Sequence, residues 1–154
     1  MYNKAVFNLR LIEYNDYHKG YLDLVNQLFK LNSIMYEGQS IGYESFSKIL
    51  DTIKLQGGHI YVIEDVINRR IIACGKLIVE QKSHGSKMGI IQDVVTDAGY
   101  RGTGHGYQII SKLIEISKQL LCYKVVLNCN PENIGFYNKC GFVQKGVEMC
   151  IYNK

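Results

Sequence analysis

The stretch GYRGTGHGYQII, residues 99–110, sets Gly102, Gly104 and Gly106 between an apolar run, GIIQDVV (89–95), and an amphipathic pattern that continues to Leu121. A strand, a glycine loop and then a helix is an arrangement that leaves backbone N–H groups at the helix start free to face an anion. Glycine lets those groups approach closely and take positive φ. Arg101 adds a fixed positive charge, so a phosphate ligand is the first inference. The common phosphate loops fit poorly. A P-loop needs Lys followed by Ser or Thr after its last glycine, and Tyr107-Gln108 follow here. A dinucleotide fingerprint needs its third glycine where Tyr107 stands, near the first strand, with an acidic residue about 20 positions on. From spacing alone, a glycine turn that merely starts a helix stays open.

Working outward, the 154 residues suit one domain, 1–154, with one core. No apolar run reaches membrane-spanning length, and Asn, Lys and Arg interrupt the first eleven residues, so neither a transmembrane helix nor a signal peptide is expected. Five cysteines without CxxC spacing argue against a disulfide framework or a metal site and for a reducing, cytoplasmic setting. A net charge of +4, scattered along the chain, is a mild bias toward anionic ligands and too little to argue for nucleic acid.

Residues 6–12 alternate as a strand. Helical spacing follows over Tyr17–Leu31, and again over 42–58, where Gly57-Gly58 end the pattern. Residues 59–66, 70–80 and 88–96 are β-branched and predict a meander of three strands. A long helix runs over 104–121, a strand over 123–129, a short helix opened by Pro131 over 131–141, and a last strand over 142–152. The order β-α-α-β-β-β-α-β-α-β predicts an α/β fold with a mixed, mostly antiparallel sheet flanked by helices.

The order strand, R-x-x-G-x-G (Arg101, Gly104, Gly106), long helix resembles the GNAT superfamily of acyl-CoA-dependent N-acyltransferases. Residues 72–150 narrow it: IQDVVTDAGYRGTGHG, CYKVVLNCNPENIGFYNKCGF and GVEM resemble the glucosamine-6-phosphate N-acetyltransferase family. The resemblance implies direct acetylation of the sugar's 2-amino group from acetyl-CoA in a ternary complex, a step toward UDP-N-acetylglucosamine, with no metal and no acyl-enzyme. It also implies a homodimer that exchanges C-terminal strands, with no membrane or nucleic-acid partner.

Carried over by resemblance, Gly102, Thr103, Gly104, His105, Gly106 and Tyr107 would cradle the pyrophosphate of coenzyme A, beside Arg101. The N–H of Val94 would hold the thioester carbonyl, next to Val95, and Tyr137 would hydrogen-bond the sulfur. Asn133, Asn138 and Lys139 would flank the cofactor. Lys82, His84, Gln92 and Asp93 would face the sugar phosphate, and Tyr123 and Lys124 would reach substrate across the dimer.

Three positions depart from that family's pattern. Gln92 and Asn128 stand where carboxylates are usual, and Tyr152 stands where an arginine grips the 6-phosphate. An amide cannot take a proton from the amine. The acceptor, an amine of α-amino type with a pKa of ~7.7–8.0, is roughly a tenth to a fifth neutral at pH 7. Water or a main-chain acceptor, including the carbonyl of Asn128, then suffices as base. A phenol at 152 cannot replace a bidentate guanidinium, which leaves Lys82, His84, Lys124 or Lys154 for the phosphate. Two other readings keep the fold: an acetyltransferase acting on another small amine or a peptide N-terminus, and a non-catalytic acyl-CoA-binding dimer.

Overall fold

The structure is a computed structural model that describes residues 6–31 and 41–152. Strands β1 (Phe7–Leu11), β2 (Gly58–Asp65), β3 (Arg70–Gln81), β4 (Lys87–Thr96) and β5 (Cys122–Leu127) form one sheet in sequence order. The first three pairings are antiparallel; β4 and β5 run parallel. A parallel pair needs a crossover, which helix α3 (His105–Gln119) supplies. Before the meander come a 3-10 segment (Tyr14–Lys19) and helices α1 (Tyr21–Leu31) and α2 (Tyr43–Leu55). After β5, Pro131–Asn133 turn into α4 (Ile134–Lys139). The fold expected from the sequence is the fold observed.

Each sheet face carries its own core. Leu24, Phe46 and Leu50 from α1 and α2 pack with Val62, Ile71 and Cys74. On the other face Ile109, Ile110 and Leu113 of α3 pack with Ile63, Leu77 and Ile91. These apolar stripes recur at i, i+3 and i+4, the spacing of one helix face. Gly75 lets α3 approach: a Cβ there would lie 2.6 Å from Ile109 and 3.0 Å from Leu113.

One expected element is absent from the single chain. Residues 142–152 pair with no strand among the described residues, so the predicted last strand is corrected to a tail without regular structure, bent at Gly146. Its apolar side chains stand in solvent: Val147 and Met149 are each 92% exposed and Ile151 88%. A strand needs an unpaired edge to join, and among the described residues the tail pairs with neither sheet edge, β1 or β5.

Candidate active site

The parallel pair β4–β5 comes apart partway along. Its ladder runs from Lys87↔Cys122 to Ile91↔Leu127 and ends there, although β4 continues to Thr96. On the β3 side the register jumps from Lys76↔Gln92 to Cys74↔Val95. Asp93 and Val94 therefore have no partner in either ladder. This is a β-bulge, and Asp93 takes φ 53 within it. The bulge shifts the inward alternation, so Ile91 and Val94 face α3 while Val95 faces α1 and α2. The thiol of Cys74 donates to the Asp93 carbonyl at 3.6 Å. Burial, with the Asp93 charge adding to it, pushes that thiol far up, so it stays a donor.

Beyond the bulge the chain enters the glycine loop. Gly102 and Gly104 take φ 77 and 87, and a Cβ on either would meet nothing within 4 Å. These glycines serve the backbone, and the surface they form is open to a ligand. Gly106 serves packing: a Cβ there would lie 3.3 Å from Phe136 and 3.4 Å from the Thr96 hydroxyl. The first bond back into α3 is Gln108 N–H to Gly104 O. The N–H groups of His105, Gly106 and Tyr107 thus precede the first closed turn, at the positive end of the helix.

Two buried carboxylates brace the loop. Asp97 accepts from Gly99 N–H (3.0 Å), Gln27 (3.1 Å) and Arg70 (2.6 Å). Asp65 accepts from Tyr100 OH (2.8 Å) and from the side chain (2.7 Å) and N–H (3.1 Å) of Asn68. The basic side chains of the loop are also turned to its support. Arg101 Nε donates to Thr96 O at 3.1 Å, and the His105 ring is buried with its centroid 4.5 Å from that of Phe7.

A cleft of about 1000 Å³ joins these parts. It holds Gln92, Asp93, Val94 and Val95 of the bulged strand; Arg101, Gly102, Gly104, His105, Gly106 and Tyr107 of the loop; and Asn128, Asn133, Tyr137 and Lys139 beyond β5. A second, narrower space of about 340 Å³ lies in the gap between the parting strands, against Gln92, Asp93 and Asn128. Tyr137 packs edge-on to Phe136 and Phe142, with centroids 5.0 and 6.1 Å away. Burial, aided by Cys129 and Cys140, pushes its phenol up to about 12, so it is a hydrogen-bond donor across the neutral range.

The remaining predicted residues lie outside this cleft. Thr103 bonds back to Tyr100 O and holds the loop's shape, and Asn138 on α4 is not part of the lining. Lys82 pairs with Glu80 (2.8 Å) and His84 with Ser86 (2.7 Å) in the β3–β4 turn. Lys124 lies 5.3 Å from the ring centroid of exposed Tyr123 on β5, and Tyr152 is exposed on the tail. Lys154 lies outside the described residues. Sequence reasoning missed Leu28, Cys129, Glu132 and Glu148, which also line the cleft, and Lys76, whose Nζ is 2.6 Å from the Asp93 carboxylate. Lys76 is opposite Gln92 only once the strand register is known.

Comparison with known proteins fits this geometry. Residues 14–142 match the acetyltransferase (GNAT) family. The chain is 38% identical over 149 residues to a probable glucosamine 6-phosphate N-acetyltransferase of Oryza sativa subsp. japonica, covering 94% of this chain and 86% of that one. It is 37% identical to glucosamine 6-phosphate N-acetyltransferase 1 of Dictyostelium discoideum, over 94% and 90%. The crystal structure of glucosamine-6-phosphate N-acetyltransferase from Arabidopsis thaliana superposes with a TM-score of 0.87 at 33% identity, over 97% of this chain and 99% of that one. The matched span takes in the bulged strand, the glycine loop and the Tyr137 helix together, and on that ground the chain belongs to the acetyltransferase (GNAT) family.

Proposed function

We propose that this protein transfers the acetyl group of acetyl-CoA directly to the 2-amino group of glucosamine 6-phosphate, giving N-acetylglucosamine 6-phosphate for UDP-N-acetylglucosamine synthesis. One observation carries the reading: the open glycine loop, the unpaired Val94 amide and the Tyr137 phenol line one cleft where β4 and β5 part. The names shared by the relatives above supply the acceptor.

The residues present fit coenzyme A. The N–H groups of Gly102 to Tyr107 form an anion cradle whose glycines leave it uncovered, with Arg101 bracing it. Val95, Asn133 and Lys139 line the same cleft. When bound, acetyl-CoA supplies an acetyl group activated as a thioester. The Val94 N–H, freed by the bulge, donates to the thioester oxygen and stabilises the negative charge that develops there. Tyr137 OH donates to the sulfur, and that bond strengthens as the sulfur gains charge. A phenol near 12 lies well above a thiol near ~8.5, so Tyr137 does not surrender its proton outright. The acceptor enters at the strand gap, against Gln92, Asp93 and Asn128, where the main-chain carbonyl of Asn128 accepts a hydrogen bond from the amine and water carries the proton away.

None of Lys82, His84, Tyr123, Lys124 and Tyr152 lines the cleft or the strand gap of its own chain, so a second subunit that brings them to the sugar phosphate fits this reading. A homodimer built by exchange of the 142–152 tail meets that need, and the exposed Val147, Met149 and Ile151 support it. A cytoplasmic location goes with this reading; among the described residues no helix is long and apolar enough to cross a membrane.

Purified protein given acetyl-CoA and glucosamine 6-phosphate releases free thiol on this reading. Release only with free glucosamine, polyamines or peptides reassigns the acceptor. Coenzyme A binding with no release from any amine makes the protein a binding module.

A further inference from the structure

Among the described residues lining the gap between β4 and β5, Asp93 alone carries a charge. Gln92 and Asn128, which flank it, are amides. The Asp93 carboxylate is 2.6 Å from the Nζ of Lys76, whose side chain is only 17% exposed, against 38% for Asp93. Lys76 lines neither the cleft nor the gap, so it acts through Asp93. Cys74 of β3 and Tyr21 of α1, next to the pair, stay neutral, while Glu132, Lys139 and Glu148 line the wider cleft and not the gap. Cys74 donates its thiol to the Asp93 carbonyl, and buried Tyr21 of α1 holds its proton because burial penalises the phenolate. Asp16, behind Tyr21, is tied up by Arg10.

We infer that Lys76 is a positioning residue that cancels the Asp93 charge, so that the acceptor gap is electroneutral and selects the uncharged amine over the ammonium ion. The inference rests on the acetyltransferase reading. An ammonium in this gap is unreactive, since nitrogen has no lone pair until its proton leaves. A free carboxylate there would bind it and hold the enzyme in a dead-end complex. The two amides and the Lys76 pair together remove that trap. Lys76 thereby also fixes the Asp93 side chain at the one non-glycine position of β4 with positive φ.

The test is the pH dependence of thiol release from pH 6 to 9.5 with glucosamine 6-phosphate, for wild type, Lys76→Met, Lys76→Arg and the double variant Lys76→Met/Asp93→Asn. Wild-type kcat/KM for the acceptor rises with the neutral amine and levels off above its pKa. In Lys76→Met, acceptor KM and kcat at pH 6.5 both fall, by about fivefold, the strength of a partly exposed ion pair. The variant meets wild type above pH 9, where the ammonium is gone. Lys76→Arg keeps the wild-type profile because guanidinium also pairs with carboxylate. The double variant restores the wild-type ratio of acceptor KM between pH 6.5 and pH 9, whatever Asp93→Asn does to the absolute rate, because the gap is neutral again. The inference is overturned if folded Lys76→Met, with a wild-type KM for acetyl-CoA, gives wild-type values of kcat and acceptor KM at pH 6.5; kcat/KM itself stays on the wild-type curve, because dead-end binding lowers both alike. It is equally overturned if kcat falls alike at every pH and the double variant does not restore the wild-type pH ratio of acceptor KM. No thiol release from the wild type overturns the acetyltransferase reading itself, and the inference with it.

Discussion

Tyr137 takes its character from what surrounds it. Its ring is wedged against Phe136 and Phe142, and burial holds the phenol near 12. An ordinary tyrosine is half ionised near pH ~10. A raised pKa keeps the proton bound up to the folded value, so the donor persists through that range. Tyr137→Phe therefore lowers kcat by about 100-fold, the lower end of what losing one donor to developing charge costs, while the KM for acetyl-CoA moves little. Thiol-release kinetics check this, and the wild-type pH profile shows no Tyr137 limb below about pH 11. Gly104 is a second residue-scale case. At φ 87 with open space around it, alanine meets no clash but carries the strain of a left-handed backbone, about 1 kcal/mol or more. Gly104→Ala raises the KM for acetyl-CoA and lowers stability by that amount in urea unfolding, because the added methyl stands on the cradle.

At the level of elements, the site is made by two interruptions: the bulge in β4 and the end of β5 at Leu127. The chain shows why β5 stops. Asn130 precedes Pro131, and a residue before proline resists helix while proline itself cannot continue a ladder. The bulge left no such mark, because QDVV reads as strand from end to end. Every strand and α-helix before the tail was legible, since periods of 2 and 3.6 are written in single residues; the 3-10 segment Tyr14–Lys19, set off from α1 by Gly20 at φ 78, was read as part of one helix. Lys76 was not, because which residue of β3 faces Gln92 depends on a register jump that no local pattern records. Asp97 shows the cost of such unread contacts. Its carboxylate takes donors from α1, β3 and the turn before the glycine loop, and it is 6% exposed. Asp97→Ala leaves those donors unmet and costs about 1–3 kcal/mol. It also raises the KM for acetyl-CoA more than it lowers kcat, since the loop it braces binds the cofactor. Urea unfolding and steady-state kinetics measure the two effects separately.

For the whole molecule, the sequence spoke clearly about the cofactor half of the site and poorly about the acceptor half. The glycine loop and Tyr137 are contiguous motifs within one chain, whereas Lys82, His84, Tyr123, Lys124 and Tyr152 are scattered over the β3–β4 turn, β5 and the tail. In the proposed dimer their meeting is a property of assembly, and no periodicity encodes it. The tail is the physical clue. Val143, Val147, Met149 and Ile151 alternate along a segment that buries none of them within its own chain. Fully burying such a side chain contributes about 1.5–3 kcal/mol, so exchange of two tails supplies a driving force that the monomer forgoes. Edge strand β5 offers unpaired backbone to receive it. Sedimentation equilibrium then finds twice the protomer mass. Met149→Asp with Ile151→Asp, which sets charge where the partner packs, shifts the protein to monomer. If dimerisation completes the sugar-phosphate subsite, the monomer keeps its affinity for coenzyme A and loses turnover. A charged tail that leaves both mass and turnover unchanged places the phosphate grip within one chain instead, and the β3–β4 turn would then have to close over the cleft.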